Sequence, residues 1–303
     1  MNAIAFERDY KANAAKKAAD ESHIPDYSQK IRPLSQGRLS CAAEKPLGEE
    51  ALCAAVSAGD DKLLIDPAVG GRLRSWKHKG TELVLQDPKL GLAVDAFWWP
   101  AAAASILLSP YEVDKQELAD GVLTLALSRK LTLNDNKWLE GITLVKTYRI
   151  FEKDGGVDVA TEIKNTTDKE IELSFRYHDM LSFLEVKDAK SGWATMKNGA
   201  ADQKFERLFM IKLYRYAAEA DKELEKAFKM DNLQQVTDSK AEFAAPWTSV
   251  KLSVDIQNKK DLHCFVFWDS GQQAAATFEP LYKRVKLAPG QSWQAGMSLK
   301  VLD

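Results

Sequence analysis

Alternation of apolar and polar side chains, repeated in segment after segment, is what most restricts the folds open to this chain. Near the C-terminus Trp293, Ala295, Met297, Leu299 and Val301 alternate with Gln294, Gly296, Ser298 and Lys300. Successive side chains of a strand point to opposite faces, so this stretch reads as a strand with one buried face. The same period recurs at 122–128, where Leu123, Leu125 and Leu127 oppose Thr124, Ala126 and Ser128. It recurs again at 157–164 and 250–256. Residues 142–150 and 157–164 flank Glu-Lys-Asp-Gly-Gly, a strong hairpin signal. KLLID, RLRSWKH and TELVL add short apolar runs separated by glycine turns. Only 217–230 predicts a helix, with Leu224 and Phe228 four residues apart on one side, and it reads as a surface insertion. Many strands with few helices between them point to an all-β fold of antiparallel sheets packed face to face.

Residues 1–60 are rich in Ala, Lys and Glu, and read as an irregular or helical segment ahead of a β domain spanning 61–303. A formal net charge of −2 on 303 residues supplies no electrostatic reason to expect nucleic acid or an anionic membrane as partner. No run approaches the ~18 apolar residues of a membrane span. The N-terminus lacks the apolar core of a secretory signal, so the chain is expected in the cytoplasm, or exported if a signal has been removed. Cys41, Cys53 and Cys264 are too few and too scattered for a disulfide framework or a zinc site, and Cys41 and Cys53 are placed to pair only in an exported protein. Nucleophile elbow, phosphate loop, dinucleotide fingerprint and metal-ligand spacing are all missing, which argues for no metal and no cofactor.

Several residues stand out chemically. Glu279 is a lone carboxylate followed by Pro280; proline cannot donate to a ladder, which predicts Glu279 at a strand end or bend. In EIELSFRYHDML, Ile171, Leu173, Phe175 and Tyr177 take one face, while Glu172, Ser174, Arg176 and His178 take the other. His178 is then either an exposed strand histidine or part of a site it shares with Arg176. Phe97, Trp98 and Trp99 crowd beside Asp95. If the segment is a strand, Trp98 and Trp99 face opposite ways; one belongs to the core and the other is a candidate platform for a sugar ring. Arg72 and Arg74 share a strand phase opposite Leu73, the pattern of a solvated face. Asp269, after Trp268, is either a sugar ligand or a turn residue ahead of Ser-Gly. Lys283 and Arg284 are positioned to hold Glu279 ionised.

Three stretches together resemble the aldose 1-epimerase, or galactose mutarotase-like, superfamily. IDPAVGGRLRSWKHKGTELV is similar to the family's opening hairpin. VDVATEIKNTTDKEIELSFRYHDMLSFL is similar to its mid-chain strands, which deliver a histidine. FVFWDSGQQAAATFEPLYKRVKLAPGQSW is similar to its end, where a glutamate precedes an L-x-P-G turn and a last strand. The resemblance implies a β-supersandwich of large antiparallel sheets over 61–303 that binds a carbohydrate and interconverts its anomers by acid/base catalysis. It implies Glu279 as base and His178 as acid, with Arg72, Asp95, Trp98, Arg176 and Asp269 binding substrate; in the hexose-6-phosphate branch an early arginine such as Arg72 would meet a phosphate. The chain departs from the family in one place: the stretch GLAVDAFWWPAAAAS carries no counterpart of a second histidine. A carbohydrate-binding protein without turnover therefore remains open. So does a glycosidase or lyase using Glu279 with Asp95 or Asp269.

Overall fold

The computed structural model describes residues 24–46, 51–100, 105–184, 193–198, 201–205, 212–227, 229–230, 233–244, 247–269 and 276–302. These form three sheets. A six-stranded meander runs in chain order from Leu34–Gln36 to Thr81–Glu82. A nine-stranded sheet carries the hairpins Glu112–Ala119, Val122–Lys130, Thr143–Phe151 and Val157–Lys164, and continues through Ser292–Leu302 and Lys251–Ile256. An eight-stranded sheet sets Leu262–Asp269, Ala276–Tyr282, Ile171–His178 and Val94–Trp99 side by side, in that order.

The alternating segments occupy the places their periodicity predicts. Leu123, Leu125 and Leu127 are buried on one face of Val122–Lys130, and Val157, Val159, Thr161 and Ile163 on one face of Val157–Lys164. Those faces meet Phe97, Phe175, Tyr177, Phe265 and Phe278 from the eight-stranded sheet in one apolar core. Aromatic edges join the two layers: Phe175 against Trp293 at 6.1 Å between centroids, and Phe243 against Phe278 at 5.0 Å.

Two segments of the fold differ from the sequence-based expectation. Residues 34–58 are not irregular: Leu34–Gln36, Leu39–Glu44 and Cys53–Ala58 pair antiparallel within the six-stranded sheet. Their Ala, Ser and Cys content hid a sound alternation, with Leu39 and Cys41 inward. Cys41, Cys53 and Cys264 are buried thiols and form no disulfide. The helix is shorter than 217–230, running over Lys222–Ala227, because the Asp221 carboxylate accepts the Leu224 N–H at 3.0 Å and starts it there. Leu224 is buried beneath it, while Phe228 lies outside the described residues.

Candidate functional site

The eight-stranded sheet has an inner face, in the core, and an outer face. On Ala276–Tyr282 the inner positions are Phe278 and Tyr282, which leaves Thr277, Glu279 and Leu281 outward. On Ile171–His178 the inner positions are Leu173, Phe175 and Tyr177, which leaves Arg176 and His178 outward. The register aligns the two strands: Arg176 is paired with Leu281 and Asp179 bridges Phe278, so His178 stands across from Glu279. Val266 flanks Glu279 on its other side, and Ala96 flanks Arg176.

Pro280 does not end its strand, as the sequence suggested. Ala276–Tyr282 runs through it, and the pairing with Leu262–Asp269 is continuous from Leu281 to Ala276. What the missing N–H does is thin the ladder on the opposite side, where a single register pair and one bridge join the strand to Ile171–His178 and Asp179. Glu279 is thus held mid-strand, over the floor of a sheet.

Glu279, Arg176, His178 and Trp98 are all buried. Arg176 donates through Nη1 to Glu279 Oε2, Thr277 Oγ1 donates to Glu279 Oε1 at 2.6 Å, and His178 Nε2 lies 3.5 Å from Oε1. The Arg176 guanidinium also covers the Trp98 ring at 4.9 Å. Burial lowers the Arg176 pKa to about 9, leaving it cationic at neutral pH. Burial, and then the neighbouring Arg176 charge, hold the His178 pKa well below the ordinary imidazole value, so His178 is neutral. A neutral imidazole donates a hydrogen bond, but it is a weak proton donor.

Trp98 and Trp99 do not simply alternate. A bulge sets Trp98 as the extra residue between the pairs Phe175–Phe97 and Ser174–Trp99. Both indoles consequently lie against the same outer cluster of Leu224, Met230, Cys264, Val266 and Leu281. Arg284 stacks on Trp99 at 5.1 Å and pairs with Asp221, Glu223 and Glu172. The cation beside Glu279 is therefore Arg176; Arg284 instead ties down the turn that opens the helix Lys222–Ala227.

Two residues assigned to sugar binding from the sequence serve elsewhere. Asp95 points inward between the sheets, where Oδ2 accepts from Tyr111 at 2.6 Å and faces Lys146 Nζ at 3.0 Å, and Oδ1 accepts from Thr161 at 3.0 Å. Arg72 is buried, with Nε and Nη2 on Asp66 and further donations to the carbonyls of Asp87, Pro88 and Leu90, and so fastens the 87–90 loop. Its even phase marks a buried bolt rather than a solvated face. The side chain of Asp269 lies outside the described residues. Thr277 and Lys146 escaped the sequence reading. Lys146 left a signal, since it falls in phase with Leu144, Tyr148 and Ile150 on an otherwise apolar face. Among the described residues, no three His, Cys, Asp or Glu side chains gather as a metal site.

No family model and no curated protein matches the sequence. Solved structures do. A galactose mutarotase-like protein from Clostridium acetobutylicum superposes with a TM-score of 0.62 at 14% identity, over 88% of this chain and 99% of its own. Another, from Lactobacillus casei, gives 0.56 at 13% identity, over 82% of this chain and 100% of its own. A proposed aldose 1-epimerase from Escherichia coli K12 gives 0.52 at 14% identity, over 82% and 98%. The chain has the galactose mutarotase-like β-sandwich fold. At these identities the likeness carries the fold, and function has to be argued from the site.

Proposed function

We propose that the outer face around Glu279 binds a cyclic sugar at its anomeric centre and interconverts the anomers. The observation that supports this is the cross-strand juxtaposition of Glu279 and His178, 3.5 Å apart on a buried face that also presents Trp98. Anomer exchange requires a proton to leave the C1 hydroxyl and one to reach the ring oxygen. Both oxygens are bonded to C1, so a carboxylate and an imidazole side by side can serve them together. Glu279 takes the hydroxyl proton and, as the acid, returns it to the ring oxygen as the C1–O bond opens. His178, held neutral, donates a hydrogen bond to that oxygen and orients it, in place of the full proton donation expected from its family counterpart. The aldehyde rotates and the ring closes on either side. Positioned groups of this kind contribute on the order of 10²- to 10⁴-fold each.

One observation favours a second reading, binding without turnover. Both oxygens of Glu279 already accept hydrogen bonds, from Arg176 and Thr277, so a sugar hydroxyl has to compete with donors already in place. Hydrolysis by a carboxylate pair is disfavoured for Glu279 with Asp95, because the two point to opposite faces of the sheet. The test is anomer exchange by NMR on free and phosphorylated aldoses, with saturation-transfer binding recorded on the same samples. Acceleration that vanishes in Glu279→Gln supports the epimerase. Saturable binding with no acceleration leaves the second reading, and neither effect on any sugar removes both.

A further inference from the structure

Four arginines of this protein share a habit that the buried Arg176 lacks. A guanidinium presents one edge, formed by Nε–H and a neighbouring Nη2–H, that matches the two oxygens of a carboxylate. Arg72 directs that edge to Asp66, Arg129 to Asp135, Arg215 to Glu225, and Arg284 sets Nε and Nη2 on Asp221. Arg176 is more deeply buried than Arg129, Arg215 or Arg284, yet it meets Glu279 through Nη1 alone. Its Nε and Nη2 are buried with no acceptor among the described residues. Buried donors are nearly always satisfied, and those of a charged group are the costliest to leave unmet. The Trp98 ring lies against the guanidinium and leaves the Nε–Nη2 edge without an acceptor.

We propose that this edge of Arg176 receives the carboxylate of an acidic sugar, making the ligand of the Glu279 face a hexuronic acid or a chain bearing one. This rests on the reading of that face as a sugar site. Arg176 and His178 stand two residues apart on one strand, a separation of roughly 6.5–7 Å. Arg176 also bonds Glu279 directly. The C5 substituent of a pyranose hangs from the carbon next to the ring oxygen, so a ring whose anomeric oxygens face Glu279 and His178 brings that substituent to the neighbouring Arg176. Charge selects the kind of anion. Arg176 and Glu279 already neutralise each other, so a monoanionic carboxylate adds one negative charge to a buried site. A sugar phosphate near neutral pH adds close to two, at a much larger desolvation cost.

The experiment is calorimetric titration of the full chain with D-glucuronate and D-galacturonate, each against its neutral C6 amide, and with glucose 6-phosphate. The acid is expected to bind about ten- to a hundredfold more tightly than the amide. In Arg176→Lys, which keeps the charge but lacks the fork, the ratio should fall toward one. The wild-type comparison of acid with amide needs no variant, so a poorly folding Arg176→Lys leaves the test intact. Equal binding of acid and amide overturns the inference while leaving the sugar site standing. Tighter binding of glucose 6-phosphate than of either uronate overturns the choice of carboxylate. If no sugar of any kind binds, the site itself falls, and this inference with it.

Discussion

Lys146 Nζ and Asp95 Oδ2 face each other 3.0 Å apart in the centre of the sandwich, and neither side chain has any exposed surface. One comes from the nine-stranded sheet and the other from the eight-stranded sheet, so the pair is an ionic rivet through an apolar core. Lys146 also donates to the carbonyls of Gly70 and Ala93, at 2.9 and 2.6 Å. Such pairs are poor sources of net stability but costly to break on one side only. Lys146→Met should therefore lose about 3–5 kcal/mol, since Asp95 would be left buried without its cationic partner. Adding Asp95→Asn to Lys146→Met should recover part of that loss. Urea unfolding of the two single variants and the double closes the cycle; simple additivity would show that the two residues do not depend on each other.

Asp179, next to His178, gives a pH signature. Its Oδ1 accepts the Ala93 N–H at 2.6 Å, while Oδ2 is buried with no hydrogen-bond partner among the described residues. Burial raises its pKa to about 7. The folded protein then keeps a proton that the unfolded chain releases near pH 4. This stabilisation is full below about pH 4, is lost as pH rises to 7, and changes no further above that. Relative to wild type, Asp179→Asn should gain stability steadily across that window, by an amount on the order of a few kcal/mol by pH 8. Thermal or urea unfolding of both proteins from pH 4 to 8 measures the difference, and a difference independent of pH would refute the assignment.

Much of this architecture was legible, and the misses have physical causes. Period-two alternation placed the hairpins of the nine-stranded sheet because each has one wet and one dry face. The outward phase shared by Arg176 and His178 was legible for the same reason. Alternation says nothing about what lies beyond the outward face, so both were open to being read as exposed when they are buried. Asp95 was misread because both faces of Val94–Trp99 are covered and its neighbours do not show which side is the core. The two tryptophans defeated simple alternation through the bulge. The pairing of Arg176 with Glu279 spans 103 residues and depends on register, which no local pattern encodes.

His178 supplies a direct test of its own protonation state. Burial and the adjacent Arg176 cation both hold its pKa down, so its ring resonances should show no imidazole protonation step between pH 8 and 6, only the smaller displacement that ionisation of the neighbouring Asp179 imposes. Any exchange activity should likewise lack the fall that a deprotonating imidazolium would give. Arg176→Gln removes the cation and leaves Glu279 unneutralised 3.5 Å from Nε2, both of which favour the charged ring. Its midpoint should move upward. A wild-type His178 titrating near 6.5 would show that the imidazole is solvated and not part of this buried cluster.

The helix Lys222–Ala227 lies over the same outer face, held by Arg284 on Asp221 at its start and by Arg215 on Glu225 within it. Asp221 accepts from the backbone N–H of Arg284 at 3.1 Å and from its Nε at 3.1 Å, while its Oδ1 caps Leu224. Leu224 and Met230 then complete the apolar cluster around Trp98. A six-residue helix has little intrinsic stability, so its persistence depends on this anchor, on the Arg215–Glu225 pair and on burial of Leu224. Asp221→Ala removes a cap worth about 1 kcal/mol and charge-assisted bonds worth about 1.5–3 kcal/mol. The amides of Glu225 and Met230, which donate to Asp221 and Glu225 carbonyls, should exchange with deuterium at least about tenfold faster. Protection of the paired strands Val122–Lys130 and Thr143–Phe151 should be unchanged, because the sandwich core does not use this contact. Faster exchange confined to the helix would make it a locally opening cover over the Glu279 face. Unaltered exchange would mean that burial of Leu224 and the Arg215–Glu225 pair hold it without Asp221, and uniform loss across the sheets would make Asp221 a global stabiliser instead.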